Sequence, residues 1–73
     1  MTHTVLAELV ANVLNVVAKP GDAVEVGDTL VLLESMKMEI PVLTEVRGTV
    51  AEIAVVEGDV ITEGDTIAVI TTD

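Results

Sequence analysis

The sequence predicts an all-β domain: about eight short strands in two small antiparallel sheets, forming a flattened barrel or sandwich with pseudo-twofold symmetry. Three observations predict it. Residues 13–34 and 50–71 repeat one another at an offset of 37 positions. Val13 corresponds to Val50, Gly21 to Gly58, Asp22 to Asp59, Gly27 to Gly64, Asp28 to Asp65 and Thr29 to Thr66. Gly-Asp pairs punctuate both copies at the same places, with Gly supplying the positive φ of a tight turn and Asp bonding its own backbone. The runs between them are rich in Val, Ile and Thr, residues that suit a pleated strand.

The elements follow in chain order. Residues 4–18 are apolar and ambiguous, because Val5, Leu9 and Val13, with Leu6, Val10 and Leu14, fall at helical spacing. The repeat decides for strand, since residues 13–18 correspond to 50–55, which follow Gly48 and read as a strand. Lys19-Pro20-Gly21-Asp22 is a turn. Gly27-Asp28 is a second turn, and it opens Thr29–Glu34, an apolar run that suits a strand buried on both faces. Apolar residues resume at Ile40–Leu43, so a tight hairpin is predicted with Met36 and Lys37 near its tip. The second copy repeats the pattern through Gly58-Asp59 and Gly64-Asp65 to the strand Thr66–Thr71. Two face-to-face sheets bury the aliphatic faces and limit open edges.

The 73 residues form one small domain, residues 1–73, without room for a cleft of ordinary enzyme size. Hydrophobic residues make up 51% of the chain, yet Phe, Trp and Tyr are absent, so the core must be aliphatic. No cysteine is present to form a disulfide or supply a thiolate. A net charge of −10 argues against nucleic acid and against anionic membranes as partners. It serves solubility first, and docking onto basic protein surfaces second. The apolar run at 4–18 is interrupted by Glu8, Asn12 and Asn15 and is too short to span a bilayer, which needs ~20 apolar residues. It also lacks the basic start of a signal peptide, so a soluble, cytoplasmic protein is expected.

The chemistry concentrates at Glu34-Ser35-Met36-Lys37-Met38-Glu39. Lys37 is one of only three lysines and arginines, set against thirteen acids, and two of the three methionines bracket it. Met-Lys at a hairpin tip departs from the Asn and Gly that tight turns favour, and such departures mark functional positions. An amine at a tip stays solvated and lacks the burial or neighbouring cation that would make it a base or a Schiff-base nucleophile. The lone His3 lies far along the chain, the acids have no EF-hand spacing, and Asp22, Asp28, Asp59 and Asp65 are turn formers. No metal site is expected, and the domain has no catalytic residue of its own. Lys37 therefore reads as an attachment point. Met36 and Met38 read either as contacts for partner surfaces, because thioethers adapt to several partners, or as packing beside the turn.

On these residues the chain resembles the biotinyl/lipoyl attachment domains, specifically the biotin carboxyl carrier type. The resemblance covers nearly the whole chain: the Gly-Asp turns of each half, E-S-M-K-M-E, the eleven-residue step from Lys37 to Gly48, and G-T-V after it. Biotin domains carry E-A-M-K-M, and Ser35 replaces the alanine. Lipoyl domains usually have an acidic residue before the lysine and alanine after it, so Met36 and Met38 favour biotin. The resemblance implies a barrel-sandwich hybrid fold and biotin joined covalently to Lys37 by a biotin protein ligase. It further implies a biotin carboxylase that loads a carboxyl group and a carboxyltransferase that unloads it. Glu34, Ser35, Met36, Met38 and Glu39 would form the recognition motif on a domain that is itself monomeric. A lipoyl-type carrier and an unmodified interaction module of the same fold are the alternatives. Ala11-Asn12 and Thr44-Glu45 stand where the family often has Pro-Gly and Ala-Pro, and residues 17–24 leave no space for the inserted thumb of many acetyl-CoA carboxylase carriers. The acyl acceptor therefore stays open.

Overall fold

The computed structural model describes residues 1–72. Eight strands and no helix are present among them: β1 Thr2–Leu6, β2 Ala11–Val16, β3 Ala23–Val24, β4 Thr29–Ser35, β5 Met38–Leu43, β6 Gly48–Ile53, β7 Val60–Ile61 and β8 Thr66–Thr71. They form two four-stranded antiparallel sheets, ordered β1-β8-β6-β3 and β5-β4-β2-β7. The ambiguous N-terminal run is two strands, broken at residues 7–10. Its helical spacing yields to pairing of β1 with β8 and of β2 with β4 and β7.

The 37-residue offset maps β2 onto β6, β3 onto β7 and β4 onto β8, and it carries β1 onto β5. Exchanging the halves turns one sheet into the other. The irregularities repeat as well. One register shift falls between Val13 and Asn15, its counterpart between Val50 and Glu52. Leu30 on β4 and Ile67 on β8 are the extra residues of two further bulges. A bulge lets two successive side chains face the same way, which explains why Leu30 and Val31, and likewise Ile67 and Ala68, are all fully buried. With Leu33, Ile70, Val13 and Val50 they fill an aliphatic core between the central strands of the two sheets. Thr44, the one buried polar residue among the described residues, donates its hydroxyl to the Val46 carbonyl at 2.7 Å and accepts the Val46 N–H at 3.1 Å.

Four turns of identical design lock the halves together. At residues 19–22, 25–28, 56–59 and 62–65 the Asp N–H bonds the carbonyl three residues earlier, and its carboxylate accepts the N–H of that same residue. The intervening glycine holds φ between 92 and 95°, which L-residues with a Cβ rarely adopt. Each turn then grips one residue of the other copy at two points. The Gly N–H donates to that residue's carbonyl, and its N–H donates to the Asp carbonyl, at 2.8–2.9 Å. The gripped residues are Val50, Thr44, Val13 and Ala7. The clamps therefore run from each repeat into its mate, and neither half completes its own backbone bonding. None of the described residues forms a helix long and apolar enough to cross a membrane.

Candidate functional site

Strands β4 and β5 pair with Leu33 opposite Ile40, Glu34 opposite Glu39 and Ser35 opposite Met38. This register leaves Met36 and Lys37 as a two-residue loop. The buried Leu33 anchors it, since a slip of one residue would carry the Leu33 side chain out of the core. Met36 has φ 53° and Lys37 φ 66°, the only described residues other than glycine with positive φ. Two successive positive φ angles define a type I′ turn, whose twist matches that of the flanking strands. Asn-Gly is its favoured sequence; Met-Lys occupies it at a cost in backbone strain.

All six motif residues predicted from the sequence come together at this end. Met36 is 92% exposed and Met38 65%, so neither side chain belongs to the core. Lys37 and Glu39 are exposed, and Glu34 and Ser35 half-buried. Glu34 and Glu39 stand directly opposite each other, a like-charge juxtaposition that disfavours the hairpin. Among the described residues the one ion pair joins Arg47 to Glu25 at 3.3 Å, on the surface, and the Lys37 amine has no partner. The same residues hold no group of three His, Asp or Glu side chains arranged for a metal ion. The site is thus an exposed primary amine on a two-residue turn, bracketed by two exposed thioethers. At the twofold-equivalent end of the β1–β8 pair, the Thr72 N–H bonds the Met1 carbonyl at 2.7 Å.

One relation escaped the sequence reading. The repeat extends upstream of residue 13, because V-L-A-E-L-V at 5–10 matches V-L-T-E-V-R at 42–47 at the same offset. Identity at Val5/Val42, Leu6/Leu43 and Glu8/Glu45 was the available signal. It pairs β1 with β5 as equivalent edge strands, one in each sheet, and a groove lies between them.

The family described as Biotin-requiring enzyme matches residues 2–70. The chain belongs to this family. A relative named "Biotinylated protein TB7.3 homolog", from Mycobacterium leprae, is 59% identical over 71 residues, covering 97% of this chain and all of the relative. Among solved structures, the urea carboxylase of Kluyveromyces lactis superposes with a TM-score of 0.91 at 34% identity over 97% of this chain. The chain spans 6% of that much longer protein. The lipoyl domain of the 2-oxoglutarate dehydrogenase complex from Azotobacter vinelandii superposes with a TM-score of 0.75 at 28% identity, covering 93% of this chain and 96% of the domain. The all-β fold of two four-stranded sheets is thus the fold of this biotin-requiring family.

Proposed function

We infer that this member of the biotin-requiring family is a biotin carboxyl carrier, with biotin joined to Lys37. The observation that carries the reading is the exposed, unpartnered Lys37 amine, held at a strained type I′ tip between two exposed methionines. Lys37 is exposed and has no ion-pair partner among the described residues, so no carboxylate there competes with an incoming acyl group for the amine. Attachment forms an amide between Lys37 Nζ and the biotin carboxyl carbon, which a biotin protein ligase first activates with ATP as an acyl adenylate; the amine displaces AMP and gives up ammonium protons, and the formal charge goes from −10 to −11. When bound, biotin supplies a ureido nitrogen that takes up and releases a carboxyl group.

The chain's own residues do the presenting. Leu33 and the β4–β5 register fix the tip, so the arm starts from a defined point and its effective concentration at each partner site is high. Met36 and Met38 offer adaptable apolar contact to surfaces of different shape. Glu34, Ser35 and Glu39 complete the recognised motif. The proposed partners are a biotin carboxylase and a carboxyltransferase, and the proposed setting is the cytoplasm, with the domain itself monomeric and performing no catalysis.

A lipoyl carrier is the second reading, favoured by the likeness to the Azotobacter lipoyl domain. The methionine on each side of Lys37 supports biotin over it. Co-expression with a biotin protein ligase and with a lipoate ligase, followed by intact-mass measurement, tests the two. One biotinyl increment is expected, absent from Lys37→Arg. A lipoyl increment, or no increment with both ligases active, overturns the proposal.

A further inference from the structure

The groove between β1 and β5 has a volume of about 540 Å³, within the ~300–1,000 Å³ of sites that bind ligands. It is separate from the lysine tip. Its floor is apolar: the half-buried Leu9, Ile40 and Val42 line it, over the buried Val5, Leu33 and Ile67. Its rim carries Glu8, Glu45 and Glu63, all exposed, and no lysine or arginine. Glu8 and Glu45 are repeat mates, so the pseudo-twofold sets one on each side.

The two bordering strands differ in how they treat their open edges. Each pairs with a neighbour on one side only, β1 with β8 and β5 with β4. An edge strand leaves alternate backbone N–H and C=O groups unpaired and ready to bond another chain, unless proline, charge or a cover blunts it. β5 carries Pro41, which removes a donor, and the acidic Glu39. β1, Thr2-His3-Thr4-Val5-Leu6, carries neither proline nor an acidic or basic residue apart from His3. His3, half-buried, faces the groove where its repeat mate is Ile40, so the β1 wall is also the more polar one. An unblunted edge beside an apolar floor is the arrangement of strand addition, in which backbone bonds give affinity and alternate side chains enter the floor.

We propose that the β1–β5 groove is a docking site for an extended partner segment that adds to the β1 edge, alternating apolar residues toward the floor with lysine or arginine toward the glutamate rim. The charge decides the class of occupant. An acidic or neutral strand would bring no compensation to three carboxylates, whereas a cationic one is steered in by them and held. The site does not use Lys37, so it is open to the modified and the unmodified chain alike.

The test is a titration of the ¹⁵N-labelled protein with a capped peptide of alternating valine and lysine, followed by heteronuclear NMR. Saturable shifts are expected at residues 3–9 and 40–45, with the hairpin tip unmoved. The variant Glu8→Gln/Glu45→Gln should weaken binding about fivefold to tenfold, the worth of two exposed charge contacts. Glu52→Gln/Glu57→Gln, with the same loss of charge elsewhere, should leave it unchanged. All four glutamates are exposed, so both variants retain the core. Equal binding of an alternating valine–glutamate peptide or of oligolysine overturns the proposal. So do shifts spread over the whole acidic surface, equal weakening in both variants, or no saturable shift at millimolar peptide.

Discussion

Replacing Met36-Lys37 with Asn-Gly should stabilise the fold while destroying the site. The perturbation touches only the type I′ loop, where φ is 53° at Met36 and 66° at Lys37. Holding a residue with a Cβ in this left-handed region costs ~1–2 kcal/mol, so the native tip carries about 2–4 kcal/mol of strain across its two residues. Asn relieves part of that and Gly all of it at its position. Against this, Gly adds freedom to the unfolded chain worth ~0.4–1 kcal/mol. The exposed Met36 and Lys37 side chains give up almost no packing. The net gain is about 1–2 kcal/mol, and for a domain of this size each kcal/mol raises Tm by ~4–8 °C. Thermal unfolding followed by circular dichroism should therefore move up by about 5–15 °C. Lys37→Arg, which keeps the same backbone demand, should leave Tm in place. An unchanged or lowered Tm in the Asn-Gly variant would refute the argument that the tip is a strained position retained for its side chains.

Three further outcomes follow from the scaffold. Gly48→Ala puts a Cβ against the Thr71 carbonyl oxygen and within 3.1 Å of Ile70 Cγ2, inside the β6–β8 ladder; a loss of ~1–3 kcal/mol is expected in chemical denaturation, and wild-type stability would contradict the close approach. Gly27→Val and Gly64→Val have open space around the new side chain but must adopt φ above 90°, so each should lose at least ~1–2 kcal/mol from backbone strain alone; an unaltered urea midpoint would show that the turns relax. Leu33→Ala empties a fully buried position under the hairpin and should cost ~2–5 kcal/mol, visible as a large drop in Tm with disordered NMR signals at residues 34–39.

The fold was legible wherever glycine and aspartate fix a local conformation. Gly21-Asp22 and its three equivalents encode their turns within four residues, and the 37-residue offset then orders the strands between them. The lysine tip was legible for a related reason: the apolar runs at 29–34 and 40–43 leave a hairpin no other place to turn. The N-terminal run was harder, because Val5, Leu9 and Val13 satisfy helical and strand spacing at once; the repeat with residues 50–55, not the local pattern, decides for strand, and β1 and β2 pair accordingly with β8 and β4. The bulges at Leu30 and Ile67 depend on which residue lies across the ladder, which local sequence does not specify. The groove is further from view again, since it is made by two edge strands of different sheets and becomes apparent only once β1 is recognised as the mate of β5. Thr44 likewise looks like a surface residue until its hydroxyl is seen to bond both the Val46 carbonyl and N–H beneath the turn at 25–28.

Acylation of Lys37 is the proposed purpose of the hairpin. Intact mass after co-expression with a biotin protein ligase, with peptide mapping to locate the adduct, puts this to the test. One biotinyl increment per chain is expected, on the peptide containing Lys37, with Lys19 unmodified and Lys37→Arg folded but unlabelled. An unmodified wild-type chain beside an active ligase, or an increment that survives in folded Lys37→Arg, would contradict it.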